Sequence, residues 1–413
     1  MTQNDIYVLR QLAEKYMLYA SLSVQKEKIN LWEKLNRFEM ERPLILFDQL
    51  PWHELDVDGF LVNQVENHYW RAVETDLRQK IYKWEHLPAD MVLNPYITLP
   101  RPIAYSGYGV AVQADILQIG EASNASSRHY TNQFHEMEDI EKIRTPKTVL
   151  DKKADAIIRQ QASMIFDGIA DYKLTGMTLH LGFWDFISEW MGVEQIYIEI
   201  IDRPELLHGI MEKLTVCTIE QIEQMNRDGL FDVYTNICHC SHTFEDDFPP
   251  KITEFDNPSS KDVWAFGLAQ LFTSVSPEVT KEFEVDYMKR IFPYFGRIYY
   301  GCCDRLDDRL EYILTLPNVR KISCSPWSNR DVFAEKLPRN YIMSSKPNPS
   351  FFASETFEID LIKQDLTKTF DAAKRNNTNL ELIFKDISTV NYQPQRLWET
   401  AKTAVEAACE YFS

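Results

Sequence analysis

The fold is decided by residues 297–324, which read RIYYGCCDRLDDRLEYILTLPNVRKISC. Two short apolar runs, Ile298–Cys302 and Lys321–Cys324, are rich in residues that favour β-strands. The stretch between them, Arg305–Leu314, has its apolar residues at helical spacing. A strand, a helix and a second strand in this order are typical of α/β folds, in which helices cover a sheet.

The same alternation continues on both sides of this unit. Five further runs have strand character: Met177–Phe183, Asp232–Cys238, Asp262–Phe266, Tyr341–Ser345 and Leu380–Lys385. A weaker strand, interrupted by prolines, lies near residues 97–105. Helical stretches separate most of these runs. Eight strands alternating with helices predict an α/β (β/α)8 TIM barrel, although a doubly wound open sheet would show the same periodicity.

The amino-terminal part of the chain has a different pattern. Apolar residues recur at helical spacing through residues 1–90, and the first glycine of the chain is Gly59. We therefore predict that residues 1–90 form an N-terminal helical extension or cap and that residues 91–413 form the barrel.

Composition narrows the class of protein. The net charge of −18 disfavours nucleic acid and anionic membrane surfaces as partners. No apolar run approaches the roughly 20 residues that span a bilayer, and residues 1–15 do not have the pattern of a secretory signal. Seven cysteines without paired spacing argue against a disulfide framework. We expect a cytoplasmic protein with no membrane or nucleic-acid partner.

Thiols and imidazoles gather at the ends of predicted strands, within Cys238–His242 and at Cys302 and Cys303. In a barrel, catalytic groups come from the carboxyl ends of the strands. Catalytic zinc needs about three protein ligands of these types and an open position. The sequence therefore predicts a metal site with the ligands His239, Cys240, His242, Cys302 and Cys303. The alternative is that the cysteines are buried structural thiols and that a histidine is held by hydrogen bonds.

Further polar and aromatic residues follow the same predicted strands. Three tryptophans could wall an apolar pocket or pack at the barrel rim. The aspartates could act as acids, bases or helix caps, and the lysines could hold an anionic group or pair with a carboxylate. We predict Asp304, Asp386 and Lys385 as catalytic residues, and Trp184, Asp185, Trp264, Trp327 and Lys346 as substrate-binding residues.

An ordered set of short segments resembles one family over roughly residues 130–412. These are residues 262–266 (DVWAF), 276–278 (SPE), 300–304 (YGCCD), 318–323 (NVRKIS), 325–327 (SPW), 345–349 (SKPNP) and 385–386 (KD). The chain resembles the uroporphyrinogen decarboxylase superfamily, and within it the corrinoid-dependent methyltransferases similar to methylcobamide:coenzyme M methyltransferase. It also resembles uncharacterised bacterial members of the superfamily. The resemblance implies a (β/α)8 barrel with its site at the strand carboxyl ends.

The methyltransferase branch binds zinc through a His-x-Cys pair and a later cysteine. Cys302 matches the cysteine of that pair, whereas Tyr300 stands at its histidine, and Ser388 stands where relatives often have another histidine. The resemblance implies methyl transfer between a small methylated substrate and a corrinoid carried by a partner protein, in one-carbon metabolism. Zinc would then need replacement ligands from Cys238–His242, or be absent.

Two other functions stay open. A cofactor-free decarboxylase would use an arginine-rich motif, whereas Arg101 stands alone between prolines. A non-catalytic ligand-binding relative is favoured by Tyr300 and Ser388, which break the zinc pattern.

Overall fold

A computed structural model describes residues 1–118, 126–246 and 257–412. Its α-helices are Gln3–Ala20, Val24–Asn36, His68–His86, Lys152–Phe166, Phe183–Met191, Val193–Asp202, Pro204–Asp228, Pro277–Thr280, Asp286–Ile291, Leu310–Ile313, Arg330–Lys336, Ser350–Ala353, Ile359–Asn376 and Gln395–Phe412. Its strands are Leu44–Phe47, Ile97–Pro100, Ile103–Tyr105, Ala114–Gln118, Ser126–Tyr130, Thr148–Leu150, Tyr172–Thr175, His180–Leu181, Ile237–Cys238, Ser241–His242, Trp264–Gly267, Arg297–Tyr300, Val319–Cys324, Ile342–Ser345 and Asn379–Phe384.

Seven strands form one parallel sheet at the centre of the molecule. Their order across the sheet is Leu44–Phe47, Asn379–Phe384, Ile342–Ser345, Val319–Cys324, Arg297–Tyr300, Trp264–Gly267 and His180–Leu181. Parallel neighbours need crossover connections, and helices supply most of them. The predicted α/β class is therefore confirmed. Among the described residues no hydrogen-bonded ladder joins the two edge strands, so the closed (β/α)8 barrel stays a prediction.

Most residues of the central strands are buried, and polar residues are among them. Every residue of Asn379–Phe384 and of Ile342–Ser345 is buried. Helices cover the sheet with amphipathic faces, as in Ile359–Asn376, where Ile362 and Phe370 point inward. Parallel sheets need cover on both faces, and the sequence supplies it by alternating strands with such helices.

Most predicted strands of the carboxyl-terminal half agree with the structure within two residues, but the strand predicted at residues 232–238 is wrong. The strand predicted near residues 97–105 is present but lies outside the central sheet. Asp232–Cys238 is not a sheet strand: only Ile237–Cys238 is extended, and it forms a hairpin with Ser241–His242. Near residues 97–105, Ile97–Pro100 pairs with Tyr172–Thr175 outside the seven-stranded sheet. Proline offers no backbone N–H, so Pro100 and Pro102 limit further pairing there.

The strand Leu44–Phe47 lies within the segment predicted to be helical. All four of its residues are buried, and it pairs in parallel with Asn379–Phe384 near the end of the chain. A fully buried run of four residues has no periodicity, so the pattern of the sequence does not indicate it. The predicted helices are present on either side, and Leu9 and Trp70 of those helices share a core with Ile383 of the sheet. The domain boundary near residue 90 stays a prediction.

Membrane insertion finds no support in the described helices. None of them combines the length and the apolar character needed to cross a bilayer.

Candidate active site

A row of buried polar side chains runs along one face of the parallel sheet. Side chains alternate between the two faces of a strand, so residues two apart share a face. Glu381 and Lys385 therefore lie on one side of the last strand and its continuation. The polar column, as we name this row, consists of Lys321, Glu381, Ser241, Ser344, Tyr299 and Lys346, and none of these residues is more than 5% exposed.

An ion pair forms the base of the polar column. Lys321 Nζ lies 2.9 Å from Glu381 Oε2, and both side chains are fully buried. Lys321 also donates to Ser241 Oγ at 2.7 Å and to the carbonyl of His242 at 3.0 Å. Burial alone would raise the pKa of Glu381, but Lys321 and Lys346 lower it, so the carboxyl is ionised. A buried pair is stable only when its remaining hydrogen bonds are satisfied, as they are here.

Lys346 occupies the next level of the polar column. Its ammonium donates to the hydroxyls of Tyr299 and Ser344, the latter at 2.7 Å. Ser344 Oγ in turn donates to Glu381 Oε1 at 2.6 Å. Burial lowers the pKa of Lys346 to about 8, although Glu381 favours its charged form. Sequence reasoning places Lys346 in substrate binding, whereas the structure gives its donors to protein oxygens.

The thiol cluster lies where these strands end, and we define it as Cys302, Cys303, Lys385, Asp386 and His239. Lys385 Nζ lies 3.2 Å from Cys302 Sγ, 3.2 Å from Asp386 Oδ2 and 3.5 Å from His239 Nε2. The sulfur atoms of Cys302 and Cys303 are 3.2 Å apart, and both cysteines are free thiols. The structure thus brings together five residues that the sequence predicts at separate strand ends.

The charges of the thiol cluster favour a thiolate at Cys302. The contact with Cys303 lowers the pKa of Cys302 far below its usual range, and His239 and Lys385 add to this against the opposing effect of burial. The same contact, together with burial, raises the pKa of Cys303. Burial opposes the charge of Lys385, but Cys302 and Asp386 outweigh it and raise its pKa. A thiolate, not a thiol, is the reactive form of cysteine.

Strained backbone holds the histidine of the thiol cluster in place. The hairpin pairs Cys238 with Ser241, so its turn consists of two residues. These are His239 and Cys240, with φ of +44° and +67°, a conformation that such turns normally reserve for asparagine and glycine. Left-handed backbone at other residues costs about 1–3 kcal/mol each and is often found at functional sites.

The imidazole of His239 packs flat against Phe266. The two ring centroids are 3.8 Å apart and the ring planes differ by 7°. Burial lowers the pKa of His239 to about 4, so the ring is neutral at pH 7. A neutral, stacked imidazole can accept or donate one hydrogen bond without carrying charge.

The residues predicted to bind zinc do not fit that ion in this arrangement. The ammonium of Lys385 lies against both Cys302 and His239, where a bound cation would have to sit. Both ring nitrogens of His242 face the backbone, with Val92 N at 3.0 Å and the carbonyl of Asn236 at 3.2 Å. Over the described part of the chain, no three His, Cys, Asp or Glu side chains are grouped as metal ligands.

Two further positions bear on the zinc pattern. Tyr300 faces away from the polar column, and its hydroxyl lies 3.5 Å from Glu284 Oε1 in the core behind the sheet. Burial raises the pKa of Cys240 to about 12, which disfavours the thiolate that a metal requires. The zinc site therefore stays a prediction, for metal analysis to test.

The three tryptophans do not form one pocket wall. Trp184 is fully buried in the core, with its ring 4.8 Å from that of Phe272. Trp264 begins its strand rather than following it, and its ring lies 5.6 Å from Lys321 Nζ at the base of the polar column. Trp327 is 67% exposed. The position of a tryptophan after an apolar run therefore does not indicate whether its side chain lies in the core, within a strand or at the surface.

Asp304 lies beside the thiol cluster in sequence but holds a neighbouring loop. Its Oδ2 accepts a hydrogen bond from the backbone N–H of Phe272 at 3.1 Å, and burial raises its pKa. Among the described residues, no hydrogen bond joins Asp304 to the thiol cluster. The catalytic role of Asp304 therefore stays a prediction.

A second pair of titratable residues, His180 and Asp185, lies at the edge of the sheet. His180 Nε2 is 2.8 Å from Asp185 Oδ2, and both side chains are partly exposed. The ring of Phe266 lies 5.6 Å from that of His180 and stacks on His239, so it separates this pair from the thiol cluster. Sequence reasoning includes Asp185 but misses His180. The available signal was a histidine at a strand end, five residues before an aspartate.

A large surface cavity lies away from these groups. It has a volume of about 830 Å³ and is formed by residues 145–150 and the helix Pro204–Asp228. Neither a cysteine nor a histidine lines it. The candidate site is therefore the thiol cluster at the strand ends, where cysteine, lysine, aspartate and histidine side chains meet.

Comparisons with known proteins give a fold and no family. No family model matches the chain, and no curated protein matches it. Among solved structures, a methyltransferase from Methanosarcina mazei aligns with a TM-score of 0.51 at 11% identity. The alignment covers 92% of this chain and 98% of that one. At this identity the likeness shows a shared fold over nearly the whole length of both chains.

Proposed function

We propose that this chain is a methyltransferase that moves a methyl group between a small methylated substrate and a corrinoid held by a partner protein in the cytoplasm. The observation that carries the proposal is the contact of the Cys302 sulfur with Lys385 Nζ and Cys303 Sγ, each at 3.2 Å, where the strands end. The fold shared with a methyltransferase supports it. In the predicted (β/α)8 barrel, catalytic groups would lie at that end of the strands.

Methyl transfer leaves an electron pair on the heteroatom that releases the methyl group. A positive charge beside that heteroatom stabilises the transition state. Lys385 provides this charge, because its pKa is raised and it stays protonated. When bound, the corrinoid of the partner would supply the nucleophile that accepts the methyl group.

The neighbours of Lys385 control its position. Asp386 and the Cys302 thiolate hold the ammonium from two sides, and His239 approaches from a third. The leaving heteroatom would take over the contact that Cys302 makes in the free protein. Cys303 then supplies a neighbouring S–H donor, and the final proton on the heteroatom comes from this donor or from water.

The test is methylation of reduced cobalamin by a panel of methanol, methylamines and methoxy-aromatic compounds, followed by absorbance. The proposal expects turnover with at least one donor. Loss of turnover is expected in Lys385→Met and not in Lys402→Met, a matched change at a 70% exposed lysine. Tight cobalamin binding without turnover of any donor would instead favour a non-catalytic binding relative.

A second function is favoured by one observation. One buried lysine, Lys385, lies at the strand ends and could hold a substrate carboxylate, as a cofactor-free decarboxylase requires. Incubation with a porphyrinogen and measurement of released carbon dioxide tests this alternative. Metal analysis of the same preparation tests zinc: stoichiometric zinc that is lost in Cys302→Ala would support the metal-assisted version of methyl transfer.

A further inference from the structure

We propose that a second cavity, remote in sequence from the thiol cluster, binds a small dianion bearing phosphate or carboxylate groups. The cavity has a volume of about 400 Å³ and opens beside the paired strands Ile97–Pro100 and Tyr172–Thr175. That volume lies within the range of pockets that hold small organic ligands. The proposal does not depend on the methyltransferase function.

The charge of the lining sets this cavity apart from the rest of the molecule. Arg101, Arg159 and Lys173 line it, and none of its described lining residues is acidic. The whole chain carries 62 acidic and 44 basic residues, so a lining with three basic residues and no acidic one opposes the general trend. A basic concave surface on an acidic protein raises the local concentration of anions.

One carboxylate behind the lining orients both arginines. Asp155 Oδ1 accepts from Arg101 Nε at 3.1 Å, and Asp155 Oδ2 accepts from Arg159 Nε at 2.8 Å. Within the described residues, the terminal nitrogens of both guanidinium groups have no hydrogen-bond partner. Guanidinium groups held through Nε keep terminal donors for the oxygens of phosphate or carboxylate.

Lys173 completes the positive charge. Its Nζ lies 5.5 Å from the ring centroid of Tyr234, and no carboxylate of the described residues is within ion-pair distance of it. Three cations against the one carboxylate of Asp155 leave two positive charges. A dianion matches this excess.

The three basic residues of this cavity lie on different elements of the fold, so the sequence pattern does not indicate the site. Arg101 directly follows one strand, Lys173 lies within its parallel partner, and Arg159 belongs to the helix Lys152–Phe166 between them. The parallel pairing brings Arg101 near Lys173, although 72 positions separate them in the chain. Gly176 permits close packing beside the cavity, because a Cβ there would lie 2.4 Å from the carbonyl oxygen of Leu230.

The experiment is calorimetric titration of the full chain with inorganic phosphate and, separately, with succinate at constant ionic strength. We expect saturable binding of one anion per chain, and the tighter of the two identifies the ligand chemistry. The double variant Arg159→Gln/Lys173→Gln should weaken binding about tenfold or more, since two charges are removed. Both side chains are at least partly exposed, so the variant should fold, which circular dichroism checks.

The matched control is Lys363→Gln/Lys402→Gln, which removes two exposed charges elsewhere. Its affinity should stay within about twofold of that of the native chain, because distant surface charges are screened. Absence of saturable binding of either anion would overturn the proposal. So would unchanged binding in the double variant, or equal weakening in the control.

Discussion

The base of the polar column and the thiol cluster belong to the same sheet but differ in burial and in backbone conformation. At the base, Lys321 and Glu381 are fully buried, ion-paired and hydrogen-bonded. In the thiol cluster, Cys303 and Asp386 are exposed, and the backbone of Asp386 has φ of +57°. A buried ion pair that supports the fold therefore occupies one end of the strands, whereas the other end has strained backbone and the cysteine pair for which we propose a role in methyl transfer.

Breaking the base should have the largest effect on stability. In Lys321→Met the buried carboxylate of Glu381 loses its cation, which should cost about 3–5 kcal/mol of unfolding free energy. Urea unfolding followed by circular dichroism measures this. The double variant Lys321→Met/Glu381→Met should recover much of the loss, because no unpaired charge remains. Equal stability of the single variant and the native chain would show that the pair does not support the fold.

Breaking the thiol cluster should affect activity rather than stability. Cys302→Ala should lower the rate of methyl transfer by up to about 100-fold, because the Lys385 ammonium loses one of the groups that hold it in position. The unfolding free energy should change by less than in Lys321→Met. Cys409→Ala, an exposed cysteine of the last helix, is the control. A fully active Cys302→Ala would remove the thiolate from the mechanism.

Lowering the pH should reduce the stability of the folded chain through the two histidines of the hairpin, His239 and His242. Burial lowers the pKa of His239 to about 4 and that of His242 to about 3, against about 6.5 in the unfolded chain. The unfolded state therefore binds more protons below pH 6.5, and stability falls as the pH falls, by at most about 1.4 kcal/mol per pH unit for each histidine. Unfolding curves between pH 7 and 4 measure the slope.

The matched variant is His242→Gln, which keeps a donor and an acceptor near Val92 N and the Asn236 carbonyl. It should show a shallower loss of stability on acidification than the native chain. An identical pH profile would mean that His242 does not remain neutral in the folded protein.

The smallest effect is expected at Trp327. Because this side chain is 67% exposed, Trp327→Ala should change the unfolding free energy by no more than about 0.5 kcal/mol. Trp184→Ala, in the core, should cost about 3–5 kcal/mol. A large loss at Trp327 would mean that the loop after Val319–Cys324 packs more tightly than its exposure indicates.

The alternation of strand-forming runs with helical stretches predicts strands such as Val319–Cys324, in which every residue except Arg320 is buried. It fails at residues 232–238, because Ile237–Cys238 turns back at His239 and Cys240 and pairs with Ser241–His242 instead of with a strand of the central sheet. It misses Leu44–Phe47 because the partner of that strand is more than 300 positions away. Long-range pairing of this kind leaves no local signal.

Half of the site can be predicted in the same way. Cys302, Lys385 and Asp386 follow predicted strands, and parallel strands place their carboxyl ends together. The position of residues relative to predicted strands does not predict the polar column, because a charged residue within a strand usually faces solvent. A lysine and a glutamate within predicted strands, as at Lys321 and Glu381, are the signal that was available.

The most direct test of the account is the titration of the Cys302 thiol. Thiolate absorbance near 240 nm, taken as the difference between the native chain and Cys302→Ala, gives its pKa in the folded protein. The account predicts a thiolate already formed below about pH 6, and a rise of the pKa in Lys385→Met. A thiol that titrates near its ordinary value of about 8.5, with or without Lys385, would contradict the account.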